Sequence, residues 1–158
     1  MKNLFVLLVT VLLLAVAQNT NAQDELYGAW IADMSESTQG DYNQAEISFN
    51  NGDYTMSLDG VLASRGTYSV NGGRYRLQTV YVWGSIFSDL EFPLESRWYT
   101  HSQLRTALRP SLTILTMEAF NALVDSVFLP ETGIYTVRGD ILTMRDDAET
   151  ETVTYRRR

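Results

Sequence analysis

Few residues in this chain are equipped for acid–base or nucleophilic chemistry. His101 is the only imidazole, the side chain whose ordinary pKa suits proton transfer near neutrality. It stands between Thr100 and Ser102, two hydroxyls of the kind a nucleophilic mechanism uses. Adjacent residues rarely point at each other, so the triplet does not make a nucleophile and its base. Asp89, Glu91 and Glu95 lie nearby in sequence, and a cleft uniting them with His101 is the best case for an enzyme. Asp146, Asp147, Glu149 and Glu151 supply the hard oxygen ligands that calcium takes, but their spacing is not that of an EF-hand loop, and they read as an acidic turn. Cysteine is absent, and so is a glycine-rich phosphate loop. No catalytic residue, metal ligand or cofactor is assigned on these grounds.

The aromatic side chains form a richer pattern. Tyr68, Tyr75, Tyr81 and Trp83 fall in phase with apolar neighbours on successive strand-like runs joined by Asn71-Gly72-Gly73. Alternation fixes Tyr68 and Tyr75 on one face of a hairpin, and carrying the phase onward puts Tyr81 and Trp83 on that face too. These four are the candidate ligand-binding residues. Tyrosines around a pocket suit a ligand with an apolar body and a few polar groups, because buried phenols seek a partner for their hydroxyls.

The elements that must hold these residues are strands. Ala45, Ile47 and Phe49 alternate with Glu46, Ser48 and Asn50; after Asn50-Asn51-Gly52-Asp53, Tyr54, Met56 and Leu58 alternate with Thr55, Ser57 and Asp59. Period two with an Asn-Gly turn between predicts a directly paired hairpin. Asp59-Gly60 marks the next reversal. The run Gly66-Thr67-Tyr68-Ser69-Val70-Asn71-Gly72 recurs as Gly133-Ile134-Tyr135-Thr136-Val137-Arg138-Gly139, and Tyr75 and Leu77 beyond the first copy correspond to Leu142 and Met144 beyond the second. Two similar hairpins in one meander are expected. Val153 and Tyr155 share one face of a final strand.

From Gly84 to Pro130 the period changes. Ile114, Met117, Phe120, Val124 and Val127 fall at helical spacing, with Thr116 placed to cap the N-terminus and Glu118 in the first turn. Leu94, Trp98, Leu104 and Leu108 fit a helix, whereas Trp98-Tyr99-Thr100 fits a strand equally well, and that segment stays open. About eight strands with one helical insertion give a mainly β fold. Closing the sheet into a barrel removes the two open edges that a flat sheet of that many strands would leave.

Gly28-Ala29-Trp30, at the start of the first strand, resembles the Gly-x-Trp signature of lipocalins and related calycin barrels. With the glycine-punctuated hairpins and the terminal run Thr152-Val153-Thr154-Tyr155-Arg156, it makes residues 26–83 and 133–157 similar to small bacterial lipocalin-like domains. The resemblance implies an antiparallel up-and-down barrel in which Trp30 closes one end beneath an arginine of the last strand. Arg156 and Arg157 are the candidates, and phase favours Arg157. Gly28, Trp30 and Arg157 are therefore the expected closure residues. Helices between the fifth and sixth strands depart from the simplest lipocalin order, where a helix comes near the C-terminus.

The first 22 residues read as an export signal: Lys2, an apolar run from Leu4 to Ala17, and small residues at cleavage positions. The run, about 14 residues, is shorter than the roughly 20 that a spanning helix needs, so no stable membrane anchor is expected after cleavage. Ala15-Val16-Ala17 and Thr20-Asn21-Ala22 both fit a peptidase, and the cut after Ala22 is preferred. Residues 23–158 then form one domain, secreted or periplasmic. Loss of Lys2 takes the formal charge from −7 to −8, which argues against nucleic acid as a partner. The leading expectation is an exported lipocalin-like protein holding a small apolar or amphiphilic ligand in its barrel. The alternative is a cell-envelope module with a filled barrel, whose insertion contacts a protein partner the sequence does not specify.

Overall fold

In a computed structural model of the chain, residues 25–34, 42–87, 94–110, 115–148 and 152–158 are described. The segment read as an export signal lies outside them, as do Asp89, Glu91, Ile114, Glu149 and Glu151. The strands are β1 (Gly28–Asp33), β2 (Gln44–Asn50), β3 (Asp53–Leu58), β4 (Val61–Asn71), β5 (Arg74–Trp83), β6 (Trp98–Tyr99), β7 (Glu131–Arg138), β8 (Ile141–Asp146) and β9 (Thr152–Arg157). Two short helices, α1 (His101–Ala107) and α2 (Met117–Ser126), sit between β6 and β7.

Eight of the strands close an antiparallel barrel. Neighbours run in sequence order from β1 to β5, then β7, β8 and β9, and β9 returns to β1 through the pairs Trp30 with Arg157 and Ile31 with Arg156. The turns follow from residue chemistry. Asn51 and Gly52 take φ of 48° and 88° between paired Asn50 and Asp53, the left-handed conformations a two-residue hairpin loop demands. The Asp59 carboxylate accepts the backbone N–H groups of Asn43 (2.9 Å) and Gln44 (2.7 Å), tying the β3–β4 turn to the start of β2.

The sequence repeat is two hairpins of identical register. Tyr68 pairs Leu77 and Val70 pairs Tyr75 in the first; Tyr135 pairs Met144 and Val137 pairs Leu142 in the second. The glycine heading each copy has the same cause. A β-carbon on Gly66 would meet the Gln78 carbonyl oxygen at 1.9 Å, and one on Gly133 would meet that of Arg145 at 2.1 Å. In both copies glycine lets two backbones come together.

β5 has two partners. Arg74 to Leu77 pair with β7, whereas Val82 and Trp83 pair with Tyr99 and Trp98 of β6. The insertion therefore docks on the far end of β5 and brings its own core: Val82, Tyr99, Leu104, Leu108, Phe120 and Val124 are buried together. The open segment resolves into a short strand followed by a helix, which Thr100 starts through a reciprocal capping box with Gln103. In α2, Thr116 accepts from the Ala119 N–H at 3.2 Å, as the spacing predicts. Of its apolar series Phe120 and Val124 are buried, while Met117 is turned out to solvent.

Candidate functional site

The candidate residues are distributed over three places on the barrel. The first surrounds Trp30 on β1. The Arg157 guanidinium lies over the Trp30 ring, 4.3 Å from the centroid, and donates to the carbonyls of Tyr27 (2.8 Å) and Glu25 (3.2 Å). Trp30 is wholly buried, and its indole Nε1 donates to the Leu26 carbonyl at 2.8 Å. Gly28, at φ 117°, leaves room for the arginine, since a β-carbon there would stand 3.3 Å from its Nη1.

The second place is the barrel interior. Tyr68 and Tyr75 point inward and are buried to 5% and 3% exposure. Tyr68 packs edge-on against Phe49, with ring centroids 4.8 Å apart. The Tyr75 hydroxyl donates to the Glu131 carboxylate at 2.9 Å, and Tyr54 shares a 2.7 Å hydrogen bond with Thr79. Burial pushes the Tyr75 and Tyr155 phenols well above their ordinary range, and the negative charge of Glu131 pushes them further. Burial also raises Tyr54 and Tyr135. Glu131 thus acts on several phenols at one end of the interior. Sequence reasoning passed over it, although it is in phase with Gly133 and the inward Tyr135.

The third place corrects an expectation. Tyr81 and Trp83 do not continue the Tyr75 face. Gly66 pairs Thr79 and Arg65 pairs Tyr81, so Val80 is an extra residue on β5. A bulge of this kind reverses which face the following residues present. Thr79 and Val82 are therefore inward, and Tyr81 and Trp83 lie on the outer wall. There the Arg65 guanidinium lies against two rings, 4.5 Å from the Tyr81 centroid and 4.6 Å from that of Trp98. Trp83 meets Trp98 edge-on at 5.1 Å. Beside them runs an open groove of about 370 Å³ along Asp53, Thr55, Arg65, Thr67, Val80 and Tyr81. Arg65 and Trp98 were not among the candidates, because the pairing that assembles them depends on the bulge.

The remaining chemical candidates are apart from these places. His101 is half exposed and bonds Asp125 through Nε2 at 2.7 Å, joining α1 to α2. Glu95 pairs with Arg97. Asp147 holds Arg74 and accepts from the Thr132 hydroxyl at 2.8 Å, while Asp146 accepts the Ala148 N–H. Among the described residues no group of three or more His, Asp or Glu side chains is arranged to hold a metal ion. Comparison with protein-family models, with curated proteins and with solved structures finds no match.

Proposed function

We propose that the protein is an exported, lipocalin-like binding module whose barrel is filled and whose partner is another protein. One observation carries this reading. The inward aromatics are packed against one another or tied by hydrogen bonds, with Tyr54, Tyr68 and Tyr75 at 3–5% exposure. A barrel of eight strands holds either its own side chains or one small ligand, and side chains packed in this way favour the first. Recognition then belongs to the outer surface and the insertion, where Met117 and Leu129 are 57% and 65% exposed. Export rests on Lys2 and the apolar run from Leu4 to Ala17; kinship with lipocalins rests on Gly28-Ala29-Trp30 beneath Arg157.

The test offers wild type and Tyr75→Ala a broad panel of apolar fluorescent probes and records unfolding midpoints on the same samples. Absence of saturable probe binding is expected, with a loss of about 3–5 kcal/mol in Tyr75→Ala, the usual cost of truncating a buried aromatic. Native mass spectrometry of protein from its own host should then show a bound polypeptide. A probe that saturates a single site and changes affinity in Tyr75→Ala would instead support a carrier. That second reading is favoured by Glu131, a half-buried residue whose carboxylate accepts from the Tyr75 hydroxyl and would suit the polar end of an amphiphilic ligand.

A further inference from the structure

The outer-wall groove carries an inference of its own. Two register shifts bracket this part of β4: one between Met56 and Ser57 in its pairing with β3, the other between Arg65 and Gly66 in its pairing with β5. Arg65 sits between them and is half-buried. Its guanidinium lies against two rings, those of Tyr81 and Trp98. Its Nε is buried with no hydrogen-bond partner, and no acidic side chain pairs with the cation among the described residues. In a chain of net charge −7, carboxylates to neutralise an arginine are plentiful. This one is paired with rings.

Stacking has a chemical consequence. A ring against a guanidinium covers its face and leaves the Nη end, where paired N–H donors fit a carboxylate through two parallel bonds. The clamp also fixes the side chain in advance, so little rotamer entropy remains to be lost when an anion arrives. The rest of the groove defines what accompanies the anion. Tyr81 offers a flat face, Thr55 and Thr67 offer hydroxyls, and Asp53 offers an acceptor that repels a second negative charge and welcomes a hydroxyl donor. At about 370 Å³ the groove is at the lower end of the range for small-molecule sites.

We infer that the groove between β3 and β5 binds a sugar bearing one carboxylate, with the carboxylate on the Arg65 edge, the ring against Tyr81 and sugar hydroxyls on Thr55, Thr67 and Asp53. An acidic peptide fits less well, because Asp53 opposes a run of negative charge and the threonines reward hydroxyl groups. This site is independent of the partner-binding reading above and uses neither the interior nor the helices.

The test titrates the full mature protein with sodium glucuronate and, separately, with glucose and acetate. Tryptophan fluorescence follows binding, since Trp83 and Trp98 adjoin the arginine, and backbone amide NMR shifts on wild type map it. Saturable glucuronate binding is expected, with glucose and acetate each at least about tenfold weaker, as loss of a charge-assisted contact implies. Shifts should cluster on Thr55, Arg65, Thr67 and Tyr81. Arg65→Gln should weaken glucuronate at least about tenfold, and Arg65→Lys should recover only part of the loss, because it restores charge without the fork. Two outcomes overturn the proposal: no saturation by glucuronate at about 20 mM, or binding whose shifts map to the barrel interior. Because the shifts are measured on wild type, the result stands even if an Arg65 variant fails to fold.

Discussion

Trp30 and Arg157 stack on each other, but the indole is fully buried and the arginine is a third exposed, so the two side chains should differ sharply in what their loss costs. Trp30→Ala removes a fully buried indole and should destabilise the protein by about 3–5 kcal/mol. Arg157→Ala removes the stacked cation and should cost about 0.5–2 kcal/mol; chemical denaturation of both variants checks the order. The buried phenols make a second prediction. Burial first, then the charge of Glu131, raises the folded pKa of Tyr75 and Tyr155 above the unfolded value near 10. Above that pH the unfolded chain gives up phenolic protons while the folded chain keeps them, so stability is full below about pH 10 and falls as pH rises. Each such tyrosine contributes about 1.4 kcal/mol per pH unit. Urea midpoints between about pH 9 and 12 should decline for wild type and decline less steeply for Tyr155→Phe. Parallel slopes would mean that Tyr155 ionises as freely in the fold as outside it.

At the scale of elements, the two repeat glycines are where neighbouring backbones approach too closely for a β-carbon. Gly66→Ala places a methyl group 1.9 Å from a backbone oxygen, which only movement of β4 or β5 relieves. A loss of about 1–3 kcal/mol or more is expected, with Gly133→Ala equal in kind, and thermal melts of the pair decide it. A variant as stable as wild type would mean that the strands can part there at little cost. Much of this layer was legible in the letters. Asn51-Gly52 and Asp59-Gly60 announce their hairpins, Thr116 announces its helix, and the repeat announces two hairpins of equal register. The bulge at Val80 was not legible. Tyr75, Leu77, Thr79, Tyr81 and Trp83 keep a flawless period of two, and only the backbone of β4, narrowed at Gly66, shows that the chain slips by one residue between Thr79 and Tyr81. Half of the expected pocket therefore stands on the outer wall, and with it an arginine that no pattern on its own strand would have singled out.

For the molecule as a whole, the export reading makes a concrete prediction: protein recovered from the periplasm or medium should begin at Gln23, or at Gln18 if the earlier site is used. Intact mass and N-terminal sequencing measure this, and a mature chain retaining Met1 would refute it. The ring of strands adds a condition on how such a protein reaches its final form. The barrel is sealed by its first and last strands: Arg157 bonds the carbonyl of Tyr27 across 130 positions of sequence, and the Arg158 N–H reaches the Ala29 carbonyl. The seam cannot be made from a partial chain. Until the last residues are free, β1 and β8 both present unpaired backbone, and the entropy of joining the ends has yet to be met. A chain that leaves its compartment N-terminus first therefore carries the lock in its head and the key in its tail. Under the export reading, the seam forms only after β9 has followed the rest of the chain across.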